Sequence, residues 1–108
     1  DMRSSIERML SFNPDAVYLT HFSRVAPPAA LGRKVLDLLD QYVAIALSAS
    51  EEGDKTARIR EGLTRLLLDE AHQHGCLLSG AEILDIWHLD LELNAQGLAY
   101  WLEAQEAV

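Results

Sequence analysis

The side chain best suited to catalysis or metal binding is His21, which follows the β-favouring residues 17–19. Turn-forming residues 13–15 precede this run, so the pattern predicts a short buried strand over residues 16–20 that delivers a histidine at its end. An imidazole at a strand end is placed where enzymes hold metal ligands and catalytic groups, but a zinc site needs about three or four protein ligands. From the residues alone, His21 is either an ordinary histidine bonded to a neighbouring carbonyl, which is the commoner case, or one ligand of a site completed elsewhere.

Metal-ligating residue types also occur together in the segment Asp69-x-x-His72-x-His74-x-Cys76. Asp69 and His72 share a helix face, whereas His72 and His74 point apart at a spacing of two residues. We therefore expect a helix end with a structural cysteine here, and no metal site. No basic cluster surrounds Cys76 in the sequence that would activate a nucleophilic thiol.

Two carboxylate pairs, Glu51-Glu52 and Asp90 with Glu92, have residue types suited to acid–base chemistry. The first pair lies in a predicted loop and the second at a predicted helix start. Solvation and helix capping explain both pairs, so the sequence predicts no catalytic residue.

The charge balance of the chain excludes two classes of partner. The 108 residues include 17 acidic and 9 basic side chains, for a net charge of −8. An acidic surface repels nucleic-acid phosphates and anionic lipids, so we expect no nucleic-acid or membrane partner. Residues 66–101 have the spacing of a helix-turn-helix motif, but no Lys or Arg follows Arg65, so we expect no DNA-binding role for them.

The single Cys76 fits a reducing, cytoplasmic location.

Apolar periodicity predicts a mainly α fold: one helix, one short strand, and then a bundle of about four helices. The helices are expected over residues 2–11, 28–49 and 54–74, with Asp1 and Asp54 as candidate caps of the first and third. A short helix capped by Ser79 and a last helix capped by Asp90 are expected after them. A lone strand has no hydrogen-bonding partner, so residues 1–25 read as an incomplete terminal helix–strand unit. Residues 26–108 read as a helical C-terminal domain, in which Gly97 is expected to allow close helix packing.

The predicted core consists of apolar residues that fall on one face of each predicted helix. It comprises Val35, Leu38, Leu39, Tyr42, Val43, Ala46, Ile59, Leu63, Leu66, Leu67, Ile83, Leu84, Trp87, Leu98, Trp101 and Leu102.

Residues 5–10 and then 14–22, which include Leu19-Thr20-His21-Phe22, resemble the closing segment of metallo-β-lactamase-fold hydrolases. In that family a helix leads into a final strand, and a Thr-His or Ser-His at its end supplies the last metal-binding histidine. Residues 90–98, followed by Trp101-Leu102, are similar to a helical C-terminal extension in one bacterial branch of the family. The chain departs from the family pattern at Ser23, where Gly is common, and it lacks the His-x-His-x-Asp-His motif, the middle histidine and the bridging aspartate.

The resemblance implies that His21 is a metal ligand, and it is the one functional position that carries over. The intact parent would hold zinc or iron and hydrolyse its substrate with a metal-bridging hydroxide. The chain alone would then be inactive and would bind metal weakly at most. Its partners would be the remainder of the hydrolase domain and, through a homodimer, a second copy. The helical part would shape the active site or mediate the dimer contact. The alternative is an independent, acidic helical module for protein–protein interaction.

Overall fold

The architecture is mainly α, as the periodicity predicts. A computed structural model describes residues 1–49 and 53–107. Within these ranges the elements, in chain order, are α1 (Met2–Ser11), β1 (Val17–Leu19), β2 (Ser23–Val25), α2 (Pro28–Ser48), α3 (Lys55–Gln73) and α4 (Gly80–Glu106). None of the helices in the described ranges combines the length and the apolar character that a membrane span requires.

Three helices begin at the cap residues that the sequence indicates. The side chains of Asp1, Asp54 and Ser79 each accept a hydrogen bond from a backbone N–H in the first turn of the following helix. Glu82 completes a capping box with Ser79. Gly75 follows α3 with a φ of 81°, the left-handed conformation expected at a helix end.

The predicted lone strand has a partner inside the chain, so that expectation is wrong. β1 pairs antiparallel with β2, with Val17 opposite Val25 and Leu19 opposite Ser23. The chain reverses over three residues, and Ser23 closes the turn with a φ of 62°. Within the described residues each strand is paired on one side only, because the sheet has two strands.

The two helices predicted after Ser79 are one continuous helix, α4. Asp90 is an exposed residue in its middle, not a cap. No Gly or Pro interrupts residues 83–96, and the buried face runs through Ile83, Leu91 and Ala95 without a phase break. The bundle therefore has three helices after the hairpin, with α1 as the fourth helix of the described chain.

The chain divides into two compact units, Asp1–Gln41 and Tyr42–Val108, and the division falls inside α2. In Asp1–Gln41, α1 lies close to the first half of α2. A Cβ added at Gly32 would lie 2.6 Å from Leu10 Cδ1. Arg3 forms ion pairs with Asp40 and Glu7. The domain boundary at residues 25 and 26 stays a prediction.

The unit Tyr42–Val108 contains the buried core, which α3, α4 and the end of α2 build. The buried cluster comprises Ala46, Ala49, Ile59, Leu63, Leu91, Ala95, Ala99 and Leu102, with Tyr42, Ile45, Leu67, Leu84 and Leu98 packed against it. Burial of Tyr42 raises the pKa of its phenol.

The predicted core is partly right. Ala46, Ile59, Leu63, Ile83 and Leu102 are buried as expected. Val35, Trp87 and Trp101 were expected in the core and are exposed instead. The prediction also missed Leu91 and three small residues, Ala49, Ala95 and Ala99, since small side chains contribute little to an apolar pattern.

Candidate metal-ligand turn

His21 is the middle residue of the turn that joins β1 to β2, with Thr20 and Phe22 on either side. Its side chain is exposed. The position differs from the sequence prediction, because the histidine lies two residues beyond the end of β1 and not at the strand end itself. The hairpin therefore presents His21 at its tip.

Residues of β1 are less buried than the apolar run predicts. Tyr18 is 78% exposed and Leu19 is 45% exposed, so a buried strand is not found. Phe22, beside the histidine, is 71% exposed. The tip of the hairpin is thus an apolar surface that carries an imidazole.

Backbone geometry at the turn depends on Ser23. Its φ of 62° lies in the left-handed region, which costs an L-residue roughly 1 kcal/mol and costs Gly little. The serine at this position is tolerated at a cost to the local stability of the hairpin.

The described residues do not complete a metal site around His21. In the described part of the chain, no three His, Cys, Asp or Glu side chains come together in a way that could hold a metal ion. A zinc or iron centre needs more ligands than one imidazole provides, so the described residues do not by themselves fit the metal that the resemblance implies.

The second cluster of ligand types does not converge. His74 ends α3, and its Nε2 lies 3.4 Å from Oε2 of Glu70. Asp69 and His72 are exposed on the last turns of α3, and Cys76 is a partly buried free thiol. These residues are therefore separate side chains at the end of α3, some exposed and one partly buried.

In the carboxylate pair near the middle of α4, Asp90 is exposed and Glu92 accepts hydrogen bonds from neighbouring side chains. Nη1 of Arg60 donates a hydrogen bond to Oε2 of Glu92 at 2.6 Å, and Nε2 of Gln96 donates to Oε1 at 3.0 Å. These bonds, first that from Arg60 and then that from Gln96, lower the pKa of Glu92. Glu51 and Glu52 lie outside the described residues.

Sequence reasoning missed the apolar surface of the unit Asp1–Gln41. Although α1 has apolar residues at helical spacing, it has no buried residue. Met2 and Met9 are 63% and 56% exposed, and Phe12 directly after the helix is 77% exposed. The signal available in the sequence was the density of large apolar residues in this segment.

The functional interpretation of this turn depends on the motif resemblance and on local geometry. The motifs are the helix–turn–strand–histidine order of residues 5–22 and the sequence of residues 90–102 in α4. No family model, curated protein or solved structure matches this chain.

Proposed function

We propose that this chain is the C-terminal part of a cytoplasmic metallo-β-lactamase-fold hydrolase, in which His21 is one ligand of a zinc or iron centre. The observation that carries the proposal is the hairpin tip, where an exposed imidazole stands among exposed apolar side chains. The chain contributes a ligand and no catalysis of its own, because the other ligands of the family pattern are absent from its sequence.

The exposed apolar surface of α1 and the hairpin supports the proposal that a further part of the hydrolase packs on it. Large apolar residues on α1 and the hairpin are exposed, and burying such surface stabilises a protein by roughly 25 cal/mol per Å². The members of this surface are Met2, Met9, Phe12, Tyr18, Leu19 and Phe22. A hydrolase body packed over these residues would bury them.

The hairpin also has backbone groups available for pairing. An isolated two-stranded hairpin is marginally stable in water, and each strand here is paired on one side within the described residues. A further strand of a parent sheet would satisfy the outer N–H and C=O groups. The proposal therefore explains both the exposed side chains and the open sheet edges.

The residue type at Ser23 departs from the family pattern, but its backbone conformation supports the proposal. The resembling family commonly has Gly where this chain has Ser23. The left-handed φ of 62° is the conformation that Gly adopts most readily. Sequence pattern and local geometry therefore favour the same turn directly after the histidine.

Extending the reading frame upstream is the first test. We expect it to continue through a segment with His-x-His-x-Asp-His, and a start codon immediately before Asp1 would reject the proposal. The intact protein can then be purified for metal analysis. We expect His21→Ala to lose bound metal and to lower hydrolysis by more than the roughly 10–100-fold typical of outer-shell changes. His88→Ala, at an exposed histidine in α4, is the matched control and should leave both unchanged.

A second candidate is an independent helical module for protein–protein interaction. It is favoured by the buried core that the unit Tyr42–Val108 holds within itself. This alternative predicts a start codon near Asp1 and no effect of His21→Ala on metal content. The same two experiments therefore separate the candidates.

A further inference from the structure

α4 is apolar on two opposite faces. Its inner face, which includes Ile83, Leu91, Ala95 and Leu102, packs into the core of its unit. The opposite face carries an outer stripe, defined here as five residues that lie within about a quarter of the helix circumference. These are Ile86, Leu89, Leu93, Gly97 and Tyr100. A helix that is hydrophobic all round is normally covered on both sides.

The outer stripe is open to solvent in the described chain. Its four large side chains are 56–74% exposed. A Cβ added at Gly97 would have no heavy atom within 4 Å, so this position is a shallow hollow in the stripe. Gly97 was expected to allow close packing of helices, and within the described chain no helix packs on it.

The spacing of the outer stripe is the same in both directions. Read from Ile86, the steps are three, four, four and three residues, and Leu93 is the midpoint. We propose that two copies of this chain dimerise through the outer stripe, with their α4 helices antiparallel and Leu93 on the two-fold axis. Such an interface is isologous, since the same patch serves both copies.

This register places complementary shapes opposite each other. Leu89 faces the partner's Gly97, so a large side chain meets the hollow that Gly97 leaves, in the manner of a knob in a hole. Ile86 faces the partner's Tyr100, and Leu93 faces the partner's Leu93. Every large member of the stripe therefore has an apolar or glycine counterpart.

The exposed area reaches the lower end of the range for specific interfaces. Trp101 lies beside the stripe and is 36% exposed. Together with the four large side chains of the stripe, it leaves on the order of 600 Å² per copy in solvent, with an aromatic side chain contributing up to about 250 Å². A specific interface takes about 600–1,000 Å² from each partner.

The charges near the stripe favour the antiparallel arrangement. In that register Glu82, which lies close to the azimuth of Leu93, is opposite the partner's Ala104. A parallel arrangement would instead bring Glu82 beside its own counterpart, and like charges across an interface are unfavourable. This matters for a chain with a net charge of −8.

Sedimentation of the 108-residue chain tests the proposal. We expect a dimer at micromolar concentrations. Leu93→Glu should weaken dimerisation by at least about 100-fold, because it buries two carboxylates against each other at the axis. Leu77→Glu is the matched control, at a fully exposed leucine outside the stripe, and should remain a dimer. Circular dichroism checks that both variants are folded. A monomeric wild type, or a dimeric Leu93→Glu variant, would overturn the proposal.

Cysteine cross-linking tests the register, with Cys76→Ser as the background. A mixture of the Ile86→Cys and Tyr100→Cys variants should form a mixed disulfide, because the two positions face each other across the two-fold axis. Each variant alone should not cross-link. Disulfides between two copies of Ile86→Cys would mean a parallel pairing, and the proposal would be wrong. Neither experiment depends on the hydrolase ancestry, so the two proposals can fail separately.

Discussion

The two compact units of this chain differ in whether they bury large apolar side chains. In the described chain, every buried apolar side chain of the Ala, Ile and Leu types lies in the unit Tyr42–Val108. The unit Asp1–Gln41 buries Pro28 and leaves α1 without a buried residue. The unit Tyr42–Val108 therefore has a core of its own beside its exposed outer stripe, whereas α1 of the other unit has exposed apolar residues and no buried one.

The difference indicates what each region needs in order to be stable. A helix of ten residues and a two-stranded hairpin are both marginal structures in water when they are not packed. A helical unit with a cluster of fully buried Ile and Leu side chains has its own source of stability. We therefore expect substitutions in Tyr42–Val108 to change global stability and substitutions in Asp1–Gln41 to have local effects.

The largest expected difference comes from truncating one apolar residue in each unit. Leu63 is 1% exposed, and Leu63→Ala should lower the free energy of unfolding by about 2–5 kcal/mol. Met9 is 56% exposed, and Met9→Ala should change it by about 0.5 kcal/mol or less. Urea unfolding at one fixed protein concentration, followed by tryptophan fluorescence, measures both. If the Met9 variant lost as much stability as the Leu63 variant, the contrast between the units would be wrong.

A smaller effect should follow from adding a methyl group to a helical glycine. A Cβ at Gly62 would lie 2.5 Å from Cγ2 of Ile45, so Gly62→Ala should cost about 1–3 kcal/mol through overpacking. Gly97→Ala is the matched control, made in the Leu93→Glu background so that self-association does not contribute. It should gain about 0.5–1 kcal/mol, because the added Cβ is unobstructed and Ala favours the helix. Equal effects at the two glycines would contradict the packing described for Ile45.

In the unit Asp1–Gln41, a substitution in the hairpin should increase stability and not lower it. Ser23→Gly should stabilise the hairpin by about 0.5–1 kcal/mol, because the left-handed backbone no longer carries a Cβ. Ser5→Gly, in the middle of α1, should instead destabilise its helix by about 0.5 kcal/mol. Amide hydrogen exchange of residues 17–25 and 2–11 measures the two effects locally. Slower exchange in the hairpin of the Ser23 variant is the expected result, and faster exchange there would contradict the turn geometry.

The sequence predicts the helices well because their signals are local. Asp1, Asp54 and Ser79 are strong capping residues, and the structure confirms all three. Asp90 has the same preference, yet the surrounding residues continue the helix and the continuous inner face of α4 outweighs a single capping signal. The sequence does not predict β2 because Ser23-Arg24-Val25 is a short segment with two polar residues. Its pairing with β1 also depends on the left-handed backbone conformation of Ser23, which a serine in the sequence does not indicate.

The candidate site is predicted less completely than the fold. A sequence can indicate that His21 follows a strand, but its exposure depends on what packs around the hairpin. Trp87 and Trp101 show the same limit, because their hydrophobicity predicts burial while the structure leaves them 41% and 36% exposed. Large apolar residues that remain exposed are therefore the part of the structure that local patterns misjudge, and they are also the basis of both proposals.

The smallest expected effect is a pH dependence in the unit Tyr42–Val108. The hydrogen bond from Arg60 holds the pKa of Glu92 below its ordinary value of 4.5. A group with a lowered pKa in the folded state stabilises the fold above its unfolded pKa, and that contribution disappears as the pH falls through the folded value. Arg60→Gln should therefore be slightly less stable than the wild type at neutral pH. The difference should shrink as the pH falls below about 4.5 and vanish below the lowered pKa of Glu92.

Leu63→Ala gives the control for this convergence, since a cavity in an apolar core does not titrate. Its loss of stability relative to the wild type should persist at acidic pH, while that of Arg60→Gln vanishes. Urea unfolding of the three proteins across this pH range makes the measurement. A deficit of Arg60→Gln that stayed constant into acid would mean that Arg60 stabilises the unit through the packing of its side chain and not through the charge of Glu92.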